Sequence, residues 1–220
     1  MREASRILVL IKKEWQLELR RPQAFLAVIL FTLSLCYILY KSFNTLGPRE
    51  WGTMIWIAVL FASLNAIVKS FIQEDAGSNY FYFQIIKPTE LLIAKLVYNY
   101  FFIFLIFALM LGGFSFFLDN PIRDPNLFLQ GAALGILGIN IVFTTISALS
   151  GIGTGGSSTL MAILALPLIL PILLLLIKIT AVASGLIADS SVDMDLQLLL
   201  GIDLLYLSVI FLMFKELWKG

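Results

Sequence analysis

Histidine is absent from the chain. With it go the commonest metal ligand, the commonest general base near neutral pH and the usual proximal ligand of haem iron. The single cysteine, Cys36, stands inside an apolar run, which excludes an internal disulfide and any cysteine-based metal cluster and leaves the redox compartment open. Charge is scarce too: 13% of the 220 residues, against roughly 25% in an average soluble domain. The 15 basic and 14 acidic side chains sum to +1, so the balance gives no reason to expect a nucleic-acid partner. What fills the sequence instead is hydrophobic residue, 60% of it. This is the composition of an all-α integral membrane protein, and no stretch is suited to form a soluble enzyme domain.

Residues 1–23 carry Arg2, Arg6, Lys12, Lys13, Arg20 and Arg21, interleaved with Ile7, Leu8, Ile11, Trp15 and Leu19. On a repeat of about 3.6 residues the five apolar side chains share one arc, and Lys12, Lys13, Gln16 and Arg20 fall opposite. The pattern predicts a cytoplasmic amphipathic helix lying at the membrane interface, with Trp15 near the headgroups and the basic residues toward anionic lipid. An ordinary cytosolic tail is the alternative. A signal peptide would set its basic residues directly before an apolar core, whereas here the core begins only at Ala24.

Six membrane spans are expected, at Ala24 to Tyr40, Trp51 to Val68, Leu96 to Leu118, Leu127 to Leu149, Thr159 to Ile177 and Leu196 to Phe214. Each fits the roughly 17 to 25 residues that a helix needs to cross a hydrocarbon core. They make one transmembrane domain, 24–214, followed by a cytoplasmic tail, 215–220. An even number of spans puts both termini on one side. That side carries eleven basic residues, six before the first span, Lys69, Lys87 and Lys95 in one connection, and Lys215 and Lys219 at the end; the other side has Lys41, Arg49 and Arg123. The bias places both termini in the cytoplasm. Lys178, at the far end of the fifth span, is expected to snorkel to the interface, with a place on a substrate pathway as the alternative.

The connection from Lys69 to Lys95 reads KSFIQEDAGSNYFYFQIIKPTELLIAK. It is too polar to span and too apolar to float free, as suits a segment docked on another protein or on the bilayer interface. Glu74 and Asp75 are neighbours and diverge on a helix, so they make a poor acid/base pair; pairing with basic residues, here or on a partner, is preferred. Gly151 to Ser158, GIGTGGSS, has the outline of a phosphate loop, but Ser157 stands where its lysine belongs and the flanks are membrane helices. A flexible turn between two helices is the reading adopted. Gly131, Gly135 and Gly138 in the fourth span permit close helix packing, within the chain or between two copies. Pro167 and Pro171 share a face of the fifth span, and each removes a backbone donor, so that helix is expected to be kinked, statically or as a moving element. Asp203, in the sixth span, is an intramembrane acid and hence a functional candidate if it lies deep, or a merely interfacial residue if the helix starts later.

These features together resemble the CcmB family, the membrane permease subunit (haem exporter protein B) of the ATP-binding-cassette complex of cytochrome c maturation. The likeness lies in an apolar helix leading into Glu74, Asp75, Gly77, Ser78, Pro88 and a closing Ala94-Lys95, and in the proline-broken LALPLILPILLLLI; length, span number and the basic N-terminal helix extend it over essentially the whole chain. The resemblance implies an ABC-2-type permease-like fold in the bacterial inner membrane. It implies a non-catalytic subunit that couples ATP hydrolysis by a separate CcmA-like ATPase to haem delivery or to release of the haem-loaded chaperone CcmE. CcmC-like and CcmD-like membrane proteins are further implied partners, with two copies of the chain or a heteromeric permease. ATP would be bound by the ATPase and haem carried by partner proteins, with no cofactor or metal on this chain. Glu74, Asp75, Gly77, Ser78, Pro88 and Lys95 are then the expected ATPase-coupling residues. Two other classes stay open: an ion-coupled secondary transporter built on Asp203 and the broken helix, and a membrane scaffold that only recruits cytochrome assembly factors.

Overall fold

The computed structural model describes residues 2–20, 23–43, 46–67, 87–152, 158–188 and 191–217. Among these, seven helices account for all regular structure: α1 (Arg2–Arg20), α2 (Gln23–Ser42), α3 (Pro48–Ile67), α4 (Pro88–Phe117), α5 (Pro125–Ile152), α6 (Ser158–Ala183) and α7 (Val192–Leu217). Five of them, α3 to α7, are long and apolar enough to cross a membrane. In α2 the apolar stretch described, Ile29–Ser42, is shorter than that.

Prolines mark several starts. Pro48, Pro88 and Pro125 each open a helix, where the missing N–H is no loss and the fixed φ is already helical. Ahead of Pro125, the Asp124 carboxylate accepts from the backbone N–H of Asn126 and of Leu127, both at 3.1 Å, and so caps α5. The end of α6 is closed by Gly185 at φ 73°. Its N–H donates to the Val182 carbonyl at 2.9 Å, and the next N–H, of Leu186, to that of Ala181 at 3.0 Å, the double closure that a left-handed residue allows. The Ala183 carbonyl accepts from both Arg123 and Asp124, each at 2.9 Å, which ties the α4–α5 turn to the end of α6.

α5 is the central post. Of its candidate span 67% is buried, against 17% for α7 at the edge. Its glycines settle which surface they serve: a methyl added at Gly131 would meet Ile179, at Gly135 Leu176, and at Gly138 both Ile172 and the carboxylate of Asp203. The small-residue stripe is therefore filled by α6 and α7 of the same chain.

The core differs from one end of the bundle to the other. Toward the α4–α5 turn it is aromatic: Trp56 stacks on Phe107 at 5.6 Å, Trp51 meets Phe114 edge-on at 5.9 Å, and Phe128 contacts both tryptophans. Trp56 also donates its indole N–H to the Thr180 hydroxyl at 2.8 Å, which in turn donates to the Leu176 carbonyl at 2.7 Å. Trp56→Phe is expected to lower unfolding free energy in mixed micelles by about 1 kcal/mol, the net worth of one buried hydrogen bond. Toward the start of α4 the core is polar. Asn99 donates to Thr144 at 2.9 Å, Thr144 to Asn140 at 3.1 Å, and Asn140 to the Leu96 carbonyl at 2.9 Å, all within side chains no more than 1% exposed.

Candidate functional site

Three of the expected span boundaries shift by four residues or more, and in each of these a partner for a charged residue explains the shift. α4 begins at Pro88, not Leu96, so Lys95 lies inside the helix. α6 runs on to Ala183, past Ile177, and α7 starts at Val192, before Leu196. Charged residues that read as loop are helical because something covers or pairs them.

α1 is that cover for α4. Glu14 lies 3.7 Å from the Lys95 ammonium, whose side chain is 0% exposed. Arg6 stands 3.9 Å from Glu90, itself 4% exposed, and Trp15 meets Tyr98 edge-on at 5.5 Å. Glu90 gains further from its place in the first turn of α4, where the helix dipole favours an acid. The N-terminal helix is thus clasped to the first turns of α4 by two ion pairs and an aromatic contact. The two buried charges, Lys95 and Glu90, are tolerable because an opposite charge stands beside each. Glu14 and Glu90 were not expected as site residues; Glu14 is one of three glutamates among the basic residues of α1 and carries no distinct signal, while Glu90 stands just ahead of a long apolar run.

The remaining expected residues fall in different places. Glu74, Asp75, Gly77 and Ser78 lie outside the described residues, as do the central residues of the glycine-rich turn, 153–157. Pro88 opens α4. Pro167 and Pro171 are accommodated in a helix that continues from Ser158 to Ala183 without a break; Pro167 is exposed and Pro171 partly so. Lys178 does not reach for the interface alone: it pairs across helices with Asp195 at 2.8 Å, and that acid sits in the favourable first turn of α7.

Asp203 is deep. With α7 starting at Val192, it stands about 16 Å along the helix, midway along the candidate span Val192–Phe214. It is 0% exposed, and among the described residues no group donates a hydrogen bond to either carboxylate oxygen. The hydroxyls of Tyr100 on α4 and Tyr206 on α7 donate elsewhere, to the carbonyls of Ala133 at 3.4 Å and Leu168 at 2.9 Å. Lys95 and Tyr100 stand five residues apart on α4, about 140° around the helix, so the clasp and the buried acid are separate centres. Among the described residues no three of Asp, Glu and Cys gather closely enough to hold a metal ion.

A bundle in which five helices are long and apolar enough to cross a membrane, with Asp203 buried among them, defines a multi-pass membrane protein. The chain matches the CcmB protein family over residues 5–215. It belongs to that family, whose members are the membrane permease subunit of the ABC transporter of haem export and cytochrome c maturation. Membership places it in a complex with an ATPase and with membrane partners. No curated protein and no solved structure gave a match to the chain.

Proposed function

We propose that the chain is the lever through which a separate CcmA-like ATPase drives haem delivery or the release of haem-loaded CcmE from a CcmC- and CcmD-like assembly. In this reading the protein spans the inner membrane six times, α2 supplying the sixth span, with both termini and the Lys95 end of the bundle in the cytoplasm. α1 lies along the interface there. ATP stays on the ATPase and haem on the partner proteins.

The observation that carries the reading is the clasp between α1 and the first turns of α4. The segment 69–95 is the only long connection on the side rich in basic residues, and its last turn is α4 itself, joined to α1 through Glu14–Lys95 and Arg6–Glu90. A push on the segment therefore moves two helices as one unit. A rigid body at the point of contact is what a lever requires, and the packed bundle then carries the motion to the far side of the membrane.

The test is charge reversal at the acidic pair. Glu74→Lys combined with Asp75→Lys is expected to uncouple the ATPase, since reversed charges at an interface juxtapose like signs at a cost of several kcal/mol. Membrane insertion should be unchanged. Stimulated ATP hydrolysis in the reconstituted complex and holocytochrome c yield in cells are the readouts, and wild-type values for both would sink the proposal.

A further inference from the structure

Asp203 takes no part in that coupling, and its surroundings are unusual enough to assign it a task. The helices packed against α7 are α4, α5 and α6. α5 carries no ionisable residue between Pro125 and Ile152. On α6 the only one is Lys178, which is held by Asp195. α4 presents Tyr100, while Glu90 and Lys95 belong to the clasp with α1. On α7 itself Tyr206 stands one turn away, and Asp193 and Asp195 lie in the first turn. Among the described side chains no cation donates a hydrogen bond to the carboxylate.

A metal ion is no better a partner. Hard cations need about six oxygen ligands, and among the described residues no three of Asp, Glu and Cys gather closely enough to supply them. The carboxylate also lies so close to Gly138 that even a methyl group there would collide with it. An isolated ionised carboxylate in a low-dielectric interior does not persist; the group takes up a proton instead. A proton is the ligand that needs neither further donors nor further space.

The position also suggests what the proton controls. Tyr206, on the same face as Asp203 one turn on, bonds the Leu168 carbonyl of α6. Leu168 follows Pro167, whose own carbonyl lacks the usual helical donor because Pro171 has no N–H. α7 thus grips α6 where the backbone ladder of α6 is interrupted.

We propose that Asp203 is a proton-binding site: it carries a proton while α7 rests against α5 and α6, and releases it to water when α7 parts from them beside Pro167 and Pro171. On release the carboxyl O–H bond breaks, its electron pair stays on oxygen and the proton passes to a water molecule; capture reverses the step. The inference stands apart from the ATPase reading, because its test reads protonation and not transport.

Infrared spectra of the full chain in phospholipid nanodiscs at neutral pH are expected to show the carbonyl band of a protonated carboxyl, lost in Asp203→Asn. Identical spectra for the two proteins would overturn the proposal. Melting temperature supplies the second readout. The packed form holds a proton that the parted form gives up, so raising the pH favours parting. The wild-type melting temperature should fall as pH rises through a range in which that of Asp203→Asn stays flat, and parallel curves would count against the site. Should the variant fail to accumulate, wild-type chain with isotope-labelled aspartate decides the matter: a labelled protonated-carboxyl band at neutral pH supports the site, and its absence overturns it.

Discussion

Gly135→Val is expected to leave the chain largely unable to accumulate in folded form. A side chain at this position must occupy space already taken by Leu176, and Leu176, 1% exposed, has nowhere to retreat between α5 and α6. Overpacking of a tight interior costs about 3 kcal/mol at the upper end of its usual range. In a membrane this loss has no hydrophobic compensation, because lipid is as apolar as leucine and helices adhere through close packing. Denaturation in mixed micelles should show the drop. Leu176→Ala added to Gly135→Val should recover much of it, since the second change vacates the space the first one needs and the two residues are in contact. Gly112 and Gly201 are the controls. An added methyl meets nothing within 4 Å at either position, so Gly112→Ala and Gly201→Ala should be neutral or gain up to about 1 kcal/mol from helix propensity. Equal loss at Gly112 and Gly135 would show that the α5–α6 seam does not carry the fold.

The existence of the apolar helices was legible in the sequence, because long apolar runs have few other solutions in lipid. So was the packing role of Gly131, Gly135 and Gly138, though not its partner: spacing on one helix says that something comes close, and only the fold says that Ile172, Leu176 and Ile179 of the same chain do so. The boundaries were harder, for one physical reason. A charged residue reads as the edge of a span, yet Glu90, Lys95 and Asp195 all lie within helices. Each has an opposite charge within 4 Å from a residue remote in sequence, Arg6, Glu14 and Lys178 respectively. The same remoteness hid the clasp. From the sequence, α1 is a basic amphipathic helix whose natural partner is lipid, and nothing local reveals that Glu14 and Trp15 instead meet Lys95 and Tyr98. The depth of Asp203 turned on a shift of four residues in the start of α7, from Leu196 to Val192, which propensity alone does not resolve.

Lys95→Met should undo the clasp. The methionine matches the unbranched stem of lysine but removes its charge, and it leaves Glu14, 13% exposed, with Lys13 at 3.8 Å as its remaining cation. Breaking a buried pair from one side costs about 3 to 5 kcal/mol; because Lys13 stays, about 3 kcal/mol is the figure to expect. If that loss falls on the docking of α1, the ratio of docked to free helix changes by roughly a hundredfold. Protease access to Lys12 and Lys13 would report it. Glu14→Gln together with Lys95→Met should recover part of the loss, because Glu14 is then no longer a charge without Lys95 beside it. The exchange Glu14→Lys with Lys95→Glu separates stability from function more sharply. It keeps an ion pair at the same place, so α1 should dock and the ATPase should stay coupled, whereas either reversal alone should fail at both. Docking restored by the exchange without coupling would mean that Lys95 meets the ATPase through its own charge, and the clasp would then be scaffold and not lever.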